Sequence, residues 1–160
     1  MPDERLPDEP AADERVVLDI PATPSLVSTA RLVMACLATT RRELSAERVD
    51  DLKLAVSEAC ANAIESYDTG RGGHQAEDRR VSVAWGDDDD ALHVWVTDRG
   101  RGLDGVGRGA EPAQVLPVAS NGLGIGLIAA LVDQSVFTSG SLGTTVRMTM
   151  DCPRFEPEDY

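Results

Sequence analysis

The sequence has 160 residues, of which 42% are hydrophobic, so it is long enough for one domain with a buried core. Its formal net charge of −13 argues against nucleic acid or an anionic membrane as a partner of the whole surface. No apolar run approaches the length of a transmembrane helix, and three cysteines and two histidines without metal-ligand spacing predict reduced thiols in a cytoplasmic protein.

The first 14 residues are acidic and rich in proline, which predicts a disordered leader and not a secretion signal. A short strand is expected over residues 15–20. Thr23 followed by Pro24 is typical of a helix cap and first helical position, so a helix should cover residues 25–40. Arg31 falls at the edge of the apolar stripe of this helix, where it is either a solvated charge or part of a functional surface.

The next helix is expected to begin after Ser45 and to end near Tyr67, because apolar residues recur at helical spacing along it. Glu58 and Asn62 are four residues apart, so they stack on one face, away from the centre of that stripe. Asn62 offers a neutral amide oxygen suited to Mg²⁺, and Glu58 can accept a proton near a γ-phosphate. A Glu/Asn pair at this spacing also arises by chance.

Two strands with alternating apolar residues are expected at 80–85 and 91–97, joined by a hairpin turn. The second strand runs directly into Asp98, which is followed by Gly100 and Gly102. A carboxylate at a strand end can accept a hydrogen bond from the exocyclic amine of adenine, and glycines let the base and ribose approach the backbone. A tight turn after a strand explains the same pattern equally well.

Residues 103–121 are rich in glycine and have no period, which predicts a functional lid or a disordered loop. Arg101 and Arg108 are candidates for phosphate contacts from this lid. A glycine-rich run then opens a helix expected over residues 123–133, and backbone N–H groups at a helix start favour phosphate. The run matches neither a Rossmann nor a Walker A pattern, and a glycine-rich helix start is the alternative. Its candidate phosphate-binding residues are Gly122, Leu123, Gly124, Ile125 and Gly126.

Two further strands, at 135–139 and 144–150, close the domain. Thr144 and Thr145 either place a hydroxyl near the edge of the base or are simply a β-branched strand start. The order of elements is β-α-α-β-β-lid-α-β-β.

This order predicts an α+β fold over residues 15–151, a two-layer α/β sandwich with helices on one face of a mostly antiparallel sheet. Residues 152–160 are expected to form a frayed tail.

Four motifs in this order resemble the Bergerat-fold (GHKL, histidine-kinase-like) ATPase superfamily, which includes histidine kinases, Hsp90, DNA gyrase and anti-sigma factor kinases. The sequence carries VSEACANAI as the N-box, DRGRG and NGLGIGL as the two glycine boxes and LGTTVRM as the closing strand. A histidine kinase is expected to carry a dimerisation helix with an acceptor histidine, and gyrase or Hsp90 types are expected to need a second domain. The chain therefore most resembles the stand-alone anti-sigma factor serine/threonine kinases.

The resemblance implies an ATP- and Mg²⁺-dependent kinase that sequesters a sigma factor and phosphorylates a Ser or Thr of a STAS-type anti-anti-sigma protein. It implies a cytoplasmic homodimer that contacts neither nucleic acid nor a membrane. By the same resemblance Glu58 is the catalytic base, Asn62 the Mg²⁺ ligand and Asp98 the adenine reader. Arg31 would lie on the partner-binding surface.

The sequence departs from the superfamily pattern just after the N-box, where many relatives carry a histidine and this chain has Glu65 and Ser66. Two alternatives stay open: an ATP-binding regulatory module without kinase activity, and a phosphatase-linked or sensor-derived fragment. Retention of Glu58 favours the kinase over the regulatory module.

Overall fold

The computed structural model describes residues 16–41, 43–68, 78–100, 114–115, 123–140 and 143–152. Within these ranges three helices and six strands follow one another in the order β-α-α-β-β-β-α-β-β. The elements are β1 Val16–Pro21, α1 Pro24–Ala38, α2 Ala46–Asp68, β2 Arg80–Asp87, β3 Ala91–Asp98, β4 Gln114–Val115, α3 Leu123–Leu131, β5 Gln134–Gly140 and β6 Gly143–Asp151.

The strands form one sheet in the order β1-β2-β3-β6-β5-β4, and every neighbouring pair is antiparallel. Alternate side chains of the central strands, such as Val94, Val96 and Met148, share one buried core with Leu52 and Val56 of α2. Because side chains alternate between the two faces of a strand, this core lies on one side of the sheet. The predicted α+β two-layer sandwich is confirmed.

Both long helices begin where their capping residues predict. Thr23 is the N-cap of α1 and Pro24 its first residue, although the Thr23 side chain makes no cap hydrogen bond. In α2, the Ser45 hydroxyl oxygen accepts the backbone N–H of Arg48 at 3.2 Å, as a capping serine does. Helix α1 ends at Ala38, two residues before the expected end, and the hydroxyl of Thr40 bonds the Leu37 carbonyl oxygen there at 2.6 Å.

Arg48, in the first turn of α2, ties α3 to that helix. Its guanidinium donates to the Leu131 carbonyl oxygen at 3.0 Å, at the end of α3, and to the Asp133 carboxylate at 2.6 Å. The Asp133 carboxylate also accepts the Asp151 N–H at 2.8 Å. These contacts fix the far end of α3, so its first turn is held beside the middle of α2.

No helix in the described part of the chain is long and apolar enough to cross a membrane. The predicted leader, the lid apart from β4 and the tail from residue 153 lie outside the described residues. Cys152, which the tail was expected to include, is fully buried, and its N–H donates to the Asp90 carbonyl oxygen at 2.6 Å.

Candidate functional site

A cavity opens between α2, the first turns of α3 and the centre of the sheet. Its walls are mostly small or apolar, with a few polar groups directed inward, as is usual for small-molecule sites. The helices contribute Ala59, Asn62, Ala63, Ser66 and Ile125, and the strands contribute Val96, Asp98, Phe137, Thr144 and Val146.

Asp98, the last residue of β3, is the one carboxylate among the described residues that line this cavity, and only 4% of its surface is exposed. One of its carboxylate oxygens accepts the Gly100 N–H at 2.9 Å. Burial raises the pKa of Asp98 to about 6, whereas hydrogen bonds from Gly100, Ser66 and Thr144 oppose that rise. At neutral pH the group is therefore mostly an ionised acceptor facing an apolar cavity.

Gly143 brings the start of β6 against the end of β3. Its φ of +128° lies in the region that favours glycine, and a Cβ there would collide with the Asp98 carbonyl oxygen. Asp98 is paired in register with Thr144, so Thr144 lines the cavity beside it. Thr145 points to the opposite face of the sheet, where its hydroxyl lies 3.0 Å from that of Thr97. Of the two predicted threonines, the structure brings only Thr144 to the cavity.

The first turn of α3 lies directly over the polar face of α2. A Cβ placed on Gly124 would lie 3.1 Å from Asn62 Oδ1 and 3.3 Å from Glu58 Oε2. These contacts are tighter than a side chain normally makes, so glycine at 124 lets the helix start approach both polar groups. Ile125 is buried in the cavity wall, whereas Gly126 is exposed and a Cβ there would meet nothing within 4 Å.

The oxygen donors beside Gly124 suit a magnesium ion. Asn62 supplies the neutral amide oxygen for the ion, and the Glu58 carboxylate lies beside it on the same helix face; both side chains are half-buried. The described residues include no group of three or more His, Cys, Asp or Glu that could cage a metal. Mg²⁺ keeps waters and phosphate oxygens and takes one or two protein ligands, so this donor set fits it.

Two residues of the last turn of α2 contact the turn that follows β3, although the sequence patterns gave them no role there. A Cβ on Gly100 would collide with the Ser66 hydroxyl oxygen, so Ser66 fills the space beside the turn after β3. The buried Tyr67 hydroxyl donates to the Arg80 carbonyl oxygen at 2.7 Å and accepts the Arg99 N–H at 3.0 Å. A tyrosine at the end of a buried stripe carries a hydroxyl that needs a hydrogen-bond partner. This requirement is the feature of the sequence that could have indicated a role for Tyr67.

Four of the predicted residues lie outside the described residues: Gly102, Gly122, Arg101 and Arg108. Leu123 is the first residue of α3, and only its backbone is described.

Arg31 lies away from the cavity, exposed on α1. It lines a separate groove of about 570 Å³ between α1 and α2, together with Leu32, Leu54 and Lys53. Leu32 is 62% exposed and Leu54 44% exposed, and both side chains line this one groove. Within the described ranges Arg31 has no ion-pair partner, and Lys53, the single lysine of the chain, pairs with Asp50 at 2.7 Å.

Comparison with known proteins gives concordant matches. The histidine kinase-like ATPase domain family matches residues 20–150. The serine-protein kinase RsbW of Bacillus pumilus (strain SAFR-032) is 34% identical over 140 residues, covering 84% of this chain and 83% of the relative. The serine-protein kinase RsbW of Bacillus subtilis (strain 168) is 32% identical over 141 residues, with the same coverage of 84% and 83%.

A solved structure shares the fold. The crystal structure of the RsbU and RsbW domains of a Mycobacterium tuberculosis protein has a TM-score of 0.54 and 19% sequence identity. The similarity covers 91% of this chain and 35% of that larger chain.

Proposed function

This chain belongs to the histidine kinase-like ATPase domain family, and from that premise we propose that it binds ATP in the cavity and phosphorylates a serine or threonine of a partner protein. The observation that carries the proposal is the convergence of separate motifs. Glu58 and Asn62 of α2 meet Gly124 of α3, and Asn62 lines the same cavity as Asp98 of β3. A hydrogen-bond acceptor for the base, backbone N–H groups for phosphate and an oxygen ligand for magnesium thereby lie along one site.

At the inner end of the cavity, the Asp98 carboxylate accepts a hydrogen bond from the exocyclic amine of adenine. Guanine presents a carbonyl oxygen at that position, which the carboxylate would repel. Val96, Ile125 and Phe137 supply apolar surface for the ring. A buried site that hydrogen-bonds one substrate group discriminates strongly against analogues lacking it, because its own polar group is then left unpaired.

At the outer end, the start of α3 and the polar face of α2 receive the phosphates. Backbone N–H groups of the first turn of α3 favour phosphate, and Asn62 would hold Mg²⁺, which would neutralise charge on the phosphates. Glu58, one turn before Asn62, accepts the proton of the acceptor hydroxyl. The acceptor oxygen then forms its bond to the γ-phosphorus as the bond to the bridging oxygen breaks, and ADP leaves.

The regulatory part of the proposal follows the resemblance. The kinase sequesters a sigma factor and phosphorylates a STAS-type anti-anti-sigma protein, as a homodimer in the cytoplasm and without direct contact to nucleic acid or a membrane. The groove lined by Arg31, Leu32 and Leu54 supports a protein-binding surface on α1, because it combines exposed apolar side chains with a guanidinium that pairs with no described residue. On a chain of net charge −13, that guanidinium favours an acidic partner segment.

A phosphotransfer assay with radiolabelled ATP and a STAS protein encoded near this kinase tests the proposal. Glu58→Gln keeps the size of the side chain but removes the base, so label transfer should fall at least about 100-fold, a typical contribution of general base catalysis. ATP affinity should stay near that of the wild type. Glu47→Gln, an exposed position in the first turn of the same helix, is the matched control.

Transfer that survives in Glu58→Gln would remove the catalytic assignment. Wild-type protein that binds ATP and its partner but transfers no label would instead support a regulatory module without kinase activity.

A further inference from the structure

The last turn of α2 lies against the turn that follows β3, where the proposed adenine reader is located. Tyr67 holds the backbone of this turn through the Arg99 N–H at 3.0 Å. Ser66, its neighbour, lines the cavity together with Asp98. Helix α2 therefore carries polar contacts to the base end of the site as well as the Glu58/Asn62 pair at the phosphate end.

The Ser66 hydroxyl is placed between two acceptors. It donates to the Ala63 carbonyl oxygen at 2.7 Å, and it also lies beside the Asp98 carboxyl, whose pKa it lowers. The space beside Gly100 shows how close these groups are: a Cβ there would collide with Ser66 Oγ and lie 3.1 Å from Asp98 Oδ1. A hydroxyl has one proton and can rotate, so Ser66 can donate to either acceptor.

We propose that Ser66 is a positioning residue for nucleotide binding, whose hydroxyl holds the Asp98 carboxylate in the orientation that accepts the exocyclic amine of an adenine nucleotide. The inference rests on the proposed adenine role of Asp98. It gives a function to a position that the N-box motif leaves unassigned.

The surroundings of Asp98 explain why one hydroxyl matters. The side chain is 4% exposed, so water cannot readily replace a lost donor. The Gly100 N–H donates to this carboxylate at 2.9 Å, and the Ser66 hydroxyl and the Thr144 N–H also lower its pKa; among the described residues no charged side chain does so. Removing the Ser66 hydroxyl from beside a buried carboxylate leaves the charged form less stabilised and its orientation less restricted.

These contacts determine how ATP affinity should change with pH. Burial raises the pKa of Asp98 to about 6, and the Ser66 hydrogen bond acts in the opposite direction. Only the ionised carboxylate is a full acceptor for the amine, so ATP affinity should fall as the pH drops through about 6. Without the Ser66 hydroxyl the same loss should begin at higher pH.

The test is calorimetric titration of ATP with excess Mg²⁺ between pH 5.5 and 8.5 for the wild type and Ser66→Ala. Loss of a hydrogen bond to a charged group is enough to raise the pH at which ATP affinity begins to fall by about one unit. The ratio of the variant Kd to the wild-type Kd should then rise about threefold between pH 8 and pH 6.5. Ionisation of the nucleotide phosphates cancels in this ratio.

Three controls separate positioning of the Asp98 carboxylate from an effect on the stability of α2. Ser57→Ala removes a hydroxyl that donates to the Lys53 carbonyl oxygen at 2.8 Å on the same helix, outside the cavity, so its Kd ratio should not change with pH. Ser66→Thr retains the hydroxyl and should keep the wild-type profile. Added to Asp98→Asn, the Ser66→Ala change should have no pH-dependent effect, because no carboxylate is left to position.

A Ser66→Ala profile that superposes on the wild type, or that is weakened equally at all pH values, would overturn the inference. If Asp98→Asn itself binds ATP like the wild type, the proposed adenine role fails first. If Asp98→Asn weakens binding and the Ser66→Ala ratio stays flat with pH, only the role of Ser66 fails.

Discussion

Gly124→Ala should separate the stability of α3 from the geometry of the phosphate end of the site. The added Cβ would lie 3.1 Å from Asn62 Oδ1, 3.2 Å from Asn62 Nδ2 and 3.3 Å from Glu58 Oε2. Ordinary van der Waals contact needs a few tenths of an ångström more, so one or both side chains must shift. Replacing glycine by alanine inside a helix favours folding by up to about 1 kcal/mol, which offsets much of the crowding.

We therefore expect the free energy of unfolding of Gly124→Ala to change by less than about 1 kcal/mol, and kcat/KM for phosphotransfer to fall about tenfold. The tenfold fall in kcat/KM is expected because a misplacement of about 1 Å can reduce a rate about 100-fold. The Asn62 or Glu58 side chain needs to move by only a fraction of that distance. Urea unfolding measures the first quantity, and phosphotransfer at several ATP concentrations measures the second.

Gly126→Ala is the matched control on the same helix. A Cβ there meets nothing within 4 Å, so this change should stabilise the protein by about 0.5–1 kcal/mol and reduce kcat/KM less than Gly124→Ala does. Equal activity of the Gly124→Ala variant and the wild type would refute the idea that α3 lies closely over the Asn62/Glu58 face. A large loss of stability would show that the crowding cannot relax.

Three further changes test other parts of the molecule. Asp98→Asn should weaken ATP binding by about 1–3 kcal/mol, because an amide is a poorly matched acceptor in a buried site, and unchanged affinity in calorimetry would contradict the adenine role. Arg31→Glu should weaken capture of the partner protein in a pull-down while ATP affinity stays constant; parallel loss of both would indicate a folding defect. Tyr67→Phe leaves two backbone groups without their hydroxyl partner and should reduce the unfolding free energy by about 1–3 kcal/mol, measured by urea denaturation.

Much of the fold follows from local sequence. Helix α2 has apolar residues at helical spacing and a capping serine, and the structure places its start and its buried face where these signals predict. The alternation of residues in β2 and β3 likewise predicts the two strands and their hairpin. These signals are readable because each depends on residues within a few positions of one another.

The site is only partly readable in this way. The motifs predicted Glu58, Asn62, Asp98 and Gly124, and the structure brings each of them to the region of the cavity. The motif predicts that both Thr144 and Thr145 face the base, but neighbouring residues of a strand face opposite sides of the sheet. Which of the two faces the cavity depends on how β6 packs against the helices, and the sequence of β6 alone does not state that.

The sequence by itself determined the order of the elements, the glycine-rich turns and the polar face of α2, since all of these are set by local spacing and side-chain chemistry. Only the tertiary structure decided which groups meet. It placed Gly124 against Asn62 and the Ser66 hydroxyl beside Gly100, contacts between residues far apart in the chain. The physical reason is that such contacts depend on the packing distance between a helix and its neighbours, which the whole core sets.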